Sequence, residues 1–109
     1  MKLDILAVGA HPDDVELGCS GTLMKHISLG YKAGIVDLTQ GELGTRGTIK
    51  DRRKEAVSAS KIMGVHAREN MRFKDGFFQN DEEHQRTIIK YIRHFRPEIV
   101  LANALSDRH

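Results

Sequence analysis

The stretch LDILAVGA, residues 3 to 10, is short, almost continuously apolar, and closed by glycine and alanine. A strand with one wet face would alternate polar and apolar residues. This one does not, so it is expected to be buried on both faces and to sit in the middle of a sheet. The rest of the chain has to supply neighbouring strands and cover for both faces. From Asp14 to about Leu29, Val15, Leu23, Met24 and Ile27 recur at helical spacing and Gly30 gives a stop signal, while Gly18 and Gly21 weaken the first turns. KAGIVDLT, residues 32 to 39, reads as a second strand, followed by the glycine-rich polar loop QGELGTRGTIK.

A second helix is expected from Asp51 to Met63, with Ala56, Ala59, Ser60 and Met63 as its inner face and Gly64 closing it. RENMRF, residues 68 to 73, is a weakly patterned strand, and KDGFFQN is a loop. The third helix runs from Asp81 to about Phe95, with Ile88, Ile89, Ile92 and Phe95 on one face, acidic residues at its start and Pro97 at its end. EIVLANA, residues 98 to 104, is a fourth strand. Strands and helices in strict alternation define an α/β fold: a Rossmann-like open parallel sheet of about four strands with helices on both faces. Ligands in such sheets bind at the carboxyl ends of strands, which gathers HPDD, TQGELGTRG and SDRH on one rim.

Composition narrows the function. The 109 residues are 39% hydrophobic and 29% charged with a formal net charge of +2, enough for one core and too balanced for a nucleic-acid or anionic-membrane footprint. One cysteine, Cys19, the absence of a signal-peptide pattern, and no apolar run near the roughly 18 residues of a membrane span point to a soluble protein of the reducing cytoplasm. Cys19 is expected to be packed and inert, and His26, His66, His84 and His94 to lie at the surface. Phe77 and Phe78 suit either a pocket wall or an anchor for their loop. The spacing of Gly9, Gly18 and Gly21 does not make a dinucleotide turn, and neither a phosphate-binding P-loop nor a nucleophile elbow is present.

What remains is chemistry at residues 11 to 14. An imidazole at His11 and a carboxylate at Asp14, three residues apart across a helix start, can face one cation, and nitrogen with oxygen donors suits zinc or another first-row divalent metal. Asp13 beside them could then act as a general base toward a metal-activated water. The same aspartates also suit a plain helix cap. Arg52 and Arg53 stand near a helix start, where positive charge opposes the dipole. They suit either the grip of a substrate carboxylate or a solvated face with an Arg52–Glu55 pair. A receiver-type signalling module would need a phosphoacceptor aspartate at the end of a central strand, and VLANAL offers only Asn103 there.

AHPDDVELGCSGTL, residues 10 to 23, resembles the zinc-binding signature of the LmbE-like, or PIG-L, N-acetylglucosamine deacetylase family. VDLTQGELGTRG, the R-x-x-E-A that begins at Arg52, IMGV, DGFFQND and RPEIVLANALSDRH follow in the family's order. GELGTRG and DGFFQND resemble most the branch that deacetylates N-acetylglucosaminyl malate in bacillithiol biosynthesis. The resemblance implies zinc held by His11 and Asp14, Asp13 as general base, and Arg52 on the substrate, or Arg53 if the register slips by one. It implies that His109, first residue of a downstream His-Pro-Asp-His motif, assists the tetrahedral intermediate.

The last histidine of that motif, the third zinc ligand, falls past residue 109. Residues 1 to 109 are therefore expected to be the N-terminal portion of a single deacetylase domain. Core surface left uncovered would favour a homo-oligomer. The implied partner is a small N-acetylglucosamine-containing substrate, of the malate conjugate, another conjugate or a chitooligosaccharide. A metal-binding fragment without catalysis is the alternative.

Overall fold

The structure, a computed structural model, describes residues 1–45 and 47–106. Its elements alternate as expected: β1 (Ile5–Gly9), α1 (Asp14–Ser28), β2 (Ala33–Thr39), α2 (Ile49–Met63), β3 (Ala67–Phe73), α3 (Glu82–Phe95) and β4 (Ile99–Leu101). The four strands form one parallel sheet in the order β3-β2-β1-β4. The chain winds outward from β1 through β2 to β3, then crosses back to place β4 on the other side of β1. That reversal sends the helices to opposite faces, and the segments that leave β1, β2 and β3 meet around one cavity at the carboxyl ends of those strands.

The apolar run of β1 is buried on both sides because its residues feed two cores in turn. Ile5 and Ala7 pack with Val15 and Leu23 of α1, Ile35 of β2 and Met63 of α2. Leu6, between them, joins Leu3, Val36 and Phe95 under α3. Among the described residues no helix is long and apolar enough to cross a membrane.

The elements depart from the sequence reading at several points. α2 begins at Ile49, not Asp51, because Thr48 and Asp51 form a reciprocal capping box in which the Thr48 hydroxyl accepts from Asp51 N–H at 3.1 Å and the Asp51 carboxylate from Thr48 N–H at 3.3 Å. β4 pairs with β1 only over Ile99–Leu101, after which the chain leaves the sheet. α1 is kinked at Cys19, whose φ of −148° and ψ of 20° are not helical, directly after the glycine at position 18.

β3 carries a bulge. Asp37 pairs with Asn70 and Thr39 with Phe73, so two steps along β2 face three along β3. Arg72 absorbs the extra residue in a left-handed conformation, φ 57°, which is uncommon for a residue with a side chain. Asn70 holds it there: its Oδ1 accepts from Arg72 N–H and its Nδ2 donates to the Thr39 carbonyl, both at 2.7 Å. The loop that leaves this bend carries Asp75 toward the end of β1.

Candidate active site

The HPDD turn is held at its root by neighbouring strands. The Ala10 carbonyl accepts from both the N–H and the hydroxyl of Thr39, at 3.1 and 2.9 Å, and Ala10 N–H donates to Asn103 Oδ1 at 3.2 Å. Asp13 occupies the cap position of α1, yet its side chain makes no capping hydrogen bond. Capping therefore does not account for this aspartate. Asp14 turns back instead, its Oδ2 accepting from His11 N–H at 3.1 Å and standing 3.7 Å from His11 Nδ1.

That last separation is too long for a hydrogen bond. It is close to the spacing of two donors on one tetrahedral metal, which bonds of about 2.0–2.2 Å put roughly 3.3–3.5 Å apart. The other ring nitrogen, His11 Nε2, lies 2.7 Å from Asp75 Oδ1. The second Asp75 oxygen accepts from Leu43 N–H at 3.0 Å, and Asp75 N–H donates to Glu42 Oε2 at 2.9 Å. Burial raises the Asp75 carboxyl, but Leu43 N–H, His11 and the nearby Arg52 outweigh it and hold it below the ordinary carboxylate range. An ionised Asp75 can only accept, so it keeps the proton of a neutral His11 on Nε2 and the lone pair on Nδ1, on the side of Asp14. A carboxylate behind an imidazole in this way orients metal-binding histidines generally. The donor chemistry thus fits a divalent metal, although among the described residues no group of three such donors converges.

His11, Asp13, Asp14, Arg52 and Asp75 line one cavity of about 450 Å³, walled also by Leu17, Gly41, Leu43, Gly44 and Thr45. Arg52 reaches it by lying across the glycines of the loop after β2. A Cβ at Gly44 would collide with Arg52 Nη2, and one at Gly41 would fall within 2.7 Å of Nη1. The Arg52–Glu55 pair is not among the ion pairs of the described residues. Arg53 does not line this cavity. It borders a neighbouring one of about 530 Å³, which Arg52 shares and which contains none of His11, Asp13 or Asp14. His109 lies outside the described residues.

Sequence reasoning missed Asp75, 64 positions from its partner; the only signal was the DGFFQND match itself. It also placed His84 at the surface, whereas the ring is packed edge-on against Phe73 at 4.5 Å and hydrogen-bonds Asp81. Phe78 joins that cluster and anchors its loop, while Phe77 is exposed. Cys19 is half-buried against the core, and burial followed by the charge of Glu16 pushes its thiol up, as suits an inert residue.

Known proteins resemble the chain throughout. The conserved protein TT1542 from Thermus thermophilus is 44% identical with a TM-score of 0.93, over 98% of this chain and 49% of that one. The diacetylchitobiose deacetylase of Thermococcus kodakarensis is 31% identical over 104 residues, 89% of this chain and 39% of its own length. GalB, the 4-carboxy-2-hydroxymuconate hydratase of Pseudomonas putida KT2440, is 30% identical with a TM-score of 0.85, over all of this chain and 50% of that one. The chain thus spans half or less of the length of each relative. The model of the PIG-L family, GlcNAc-PI de-N-acetylase, matches residues 6–109. With that match covering nearly all its residues, the chain belongs to the PIG-L family.

Proposed function

We propose that these 109 residues are the N-terminal portion of a zinc-dependent N-deacetylase that hydrolyses the acetamide of an N-acetylglucosaminide. The observation that carries this reading is the pairing of His11 Nδ1 with Asp14 at 3.7 Å, backed by Asp75, beside an Asp13 carboxylate that caps nothing. His11 and Asp14 would hold the metal. When bound, a divalent metal supplies a Lewis acid that acidifies water and polarises an amide carbonyl.

The chain's own groups do the rest. Asp13 takes a proton from the attacking water at its carboxylate and returns it to the departing glucosamine nitrogen, so that water and amide become acetate and free amine. Asp75 keeps His11 oriented throughout. Arg52, spread across Gly41 and Gly44, presents its guanidinium to a carboxylate or hydroxyl of the substrate. His109 is assigned to the developing oxyanion. The substrate is a small molecule of the cytoplasm. The GELGTRG and DGFFQND segments favour N-acetylglucosaminyl malate, and the likeness to a diacetylchitobiose deacetylase makes a chitooligosaccharide the next choice.

A second reading, a hydratase, is favoured by the likeness to GalB along the whole chain. It shares the metal and Asp13 and differs in releasing no acetate. Asp13→Asn should abolish amine release while zinc content, measured by atomic emission, stays at the wild-type level. Loss of zinc together with activity would make Asp13 a structural residue instead.

A further inference from the structure

Beneath the HPDD turn lies a buried arginine that the chemistry above does not use. Arg68, on β3, keeps only 9% of its side chain exposed, and Asp37 on β2 only 4%. Its Nε donates to Asp37 Oδ2 at 2.9 Å and its Nη2 to Asp37 Oδ1 at 3.0 Å, a two-point clamp between the strands. The same Nη2 reaches Glu16 Oε1 in the first turn of α1 at 3.1 Å and the Pro12 carbonyl at 2.6 Å. Pro12 sits between His11 and Asp13. One guanidinium therefore ties two strands, the helix start and the turn that carries the donor pair.

We infer that Arg68 is a positioning residue, whose bond to the Pro12 carbonyl fixes His11 and Asp14 relative to each other and so sets the metal affinity of the site. The inference rests on the metal reading given above. A buried ion pair is a weak source of stability, since apolar groups of similar volume often serve as well. What apolar groups cannot supply is a donor aimed at the Pro12 carbonyl while two others stay on Asp37. Lysine keeps the charge but offers its donors from a single nitrogen, so it cannot hold both partners in this geometry.

The test compares the 109-residue chain with Arg68→Lys and with the double variant Arg68→Met/Asp37→Leu, which removes the clamp and leaves a volume-matched apolar pair should the lysine fail to fold. Amide hydrogen exchange without metal is read at Asp14 and Leu17, whose N–H groups bond back to the turn, and at Leu6 and Val36 in the strands. The turn amides are expected to exchange at least tenfold faster than in wild type, beyond any factor seen in the strands. Zinc affinity, by chelator competition, is expected to fall at least tenfold. Equal acceleration of turn and strands, or an unchanged turn, would overturn the positioning role and leave Arg68 a structural residue. A wild-type chain that takes up no zinc contradicts the metal reading, and the exchange ratio still decides the case for Arg68.

Discussion

Both oxygens of Asp75 are engaged, one by His11 Nε2 at 2.7 Å and one by Leu43 N–H at 3.0 Å. Asp75→Asn keeps the shape and removes the charge that holds the proton on Nε2. Zinc affinity should fall by about 10–100-fold, the usual cost of losing a partner behind a metal-binding histidine. An unchanged affinity would show that Asp75 only ties down its loop. The sign of its pH dependence follows from the lowered carboxyl: its contribution to stability is present above the ordinary aspartate value of 3.8 and is lost as pH falls through the lower, folded value. Asp37 works the other way. Burial pushes it up to about 6 against the pull of Arg68, so the folded chain binds its proton first and this group's contribution falls as pH rises from 3.8 through 6. At residue scale the sequence revealed what was contiguous. His11, Asp13 and Asp14 are neighbours with a readable spacing, whereas Asp75 and Arg68 reach the site only through the bend of β3 and the sheet register.

That bend belongs to the elements. A strand with Arg72 at φ 57° cannot be inferred from RENMRF, because the bulge depends on Asn70 bonding across to Thr39 of the next strand. α2 shows the opposite case: the capping box of Thr48 and Asp51 was open to a sequence reading, and the expected start at Asp51 fell two residues late because the preceding glycine-rich loop masked it. Thr48→Ala should cost about 1 kcal/mol in denaturant unfolding by removing the acceptor of Asp51 N–H. At α3, Asp81 caps the helix, accepting from His84 N–H at 3.0 Å. That bond, then the His84 ring, hold Asp81 below the ordinary range. Its support for the helix is present above pH 3.8 and lost as pH falls through the lowered value. Asp81→Asn should flatten the acid limb of the melting temperature against pH; an unchanged limb would remove Asp81 from that account.

Over the whole molecule, the continuous apolar run at residues 3 to 10 made the sheet legible, because only a central strand covered by helices on both sides satisfies it. Leu23 shows what the cover contributes: it is fully buried between α1 and the sheet, so Leu23→Ala should cost about 2–5 kcal/mol, measured by urea unfolding. The β4 edge is a different matter. Among the described residues β4 pairs with β1 alone, and its Ile99 and Val100 are 50% and 44% exposed. Apolar edges of this kind associate. The 109-residue chain should sediment above its monomer mass at high concentration, and Val100→Lys should return it to a monomer; a monomeric wild type would contradict this.

Deacetylation is read from the free amine released from N-acetylglucosaminyl malate or diacetylchitobiose in the presence of zinc. We would measure it for the 109-residue chain and for a version extended past His109. Amine and acetate in equal amounts from the extended version, with little from the 109 residues, is the expected result. A zinc-loaded extended protein that releases no amine from either substrate would contradict the account.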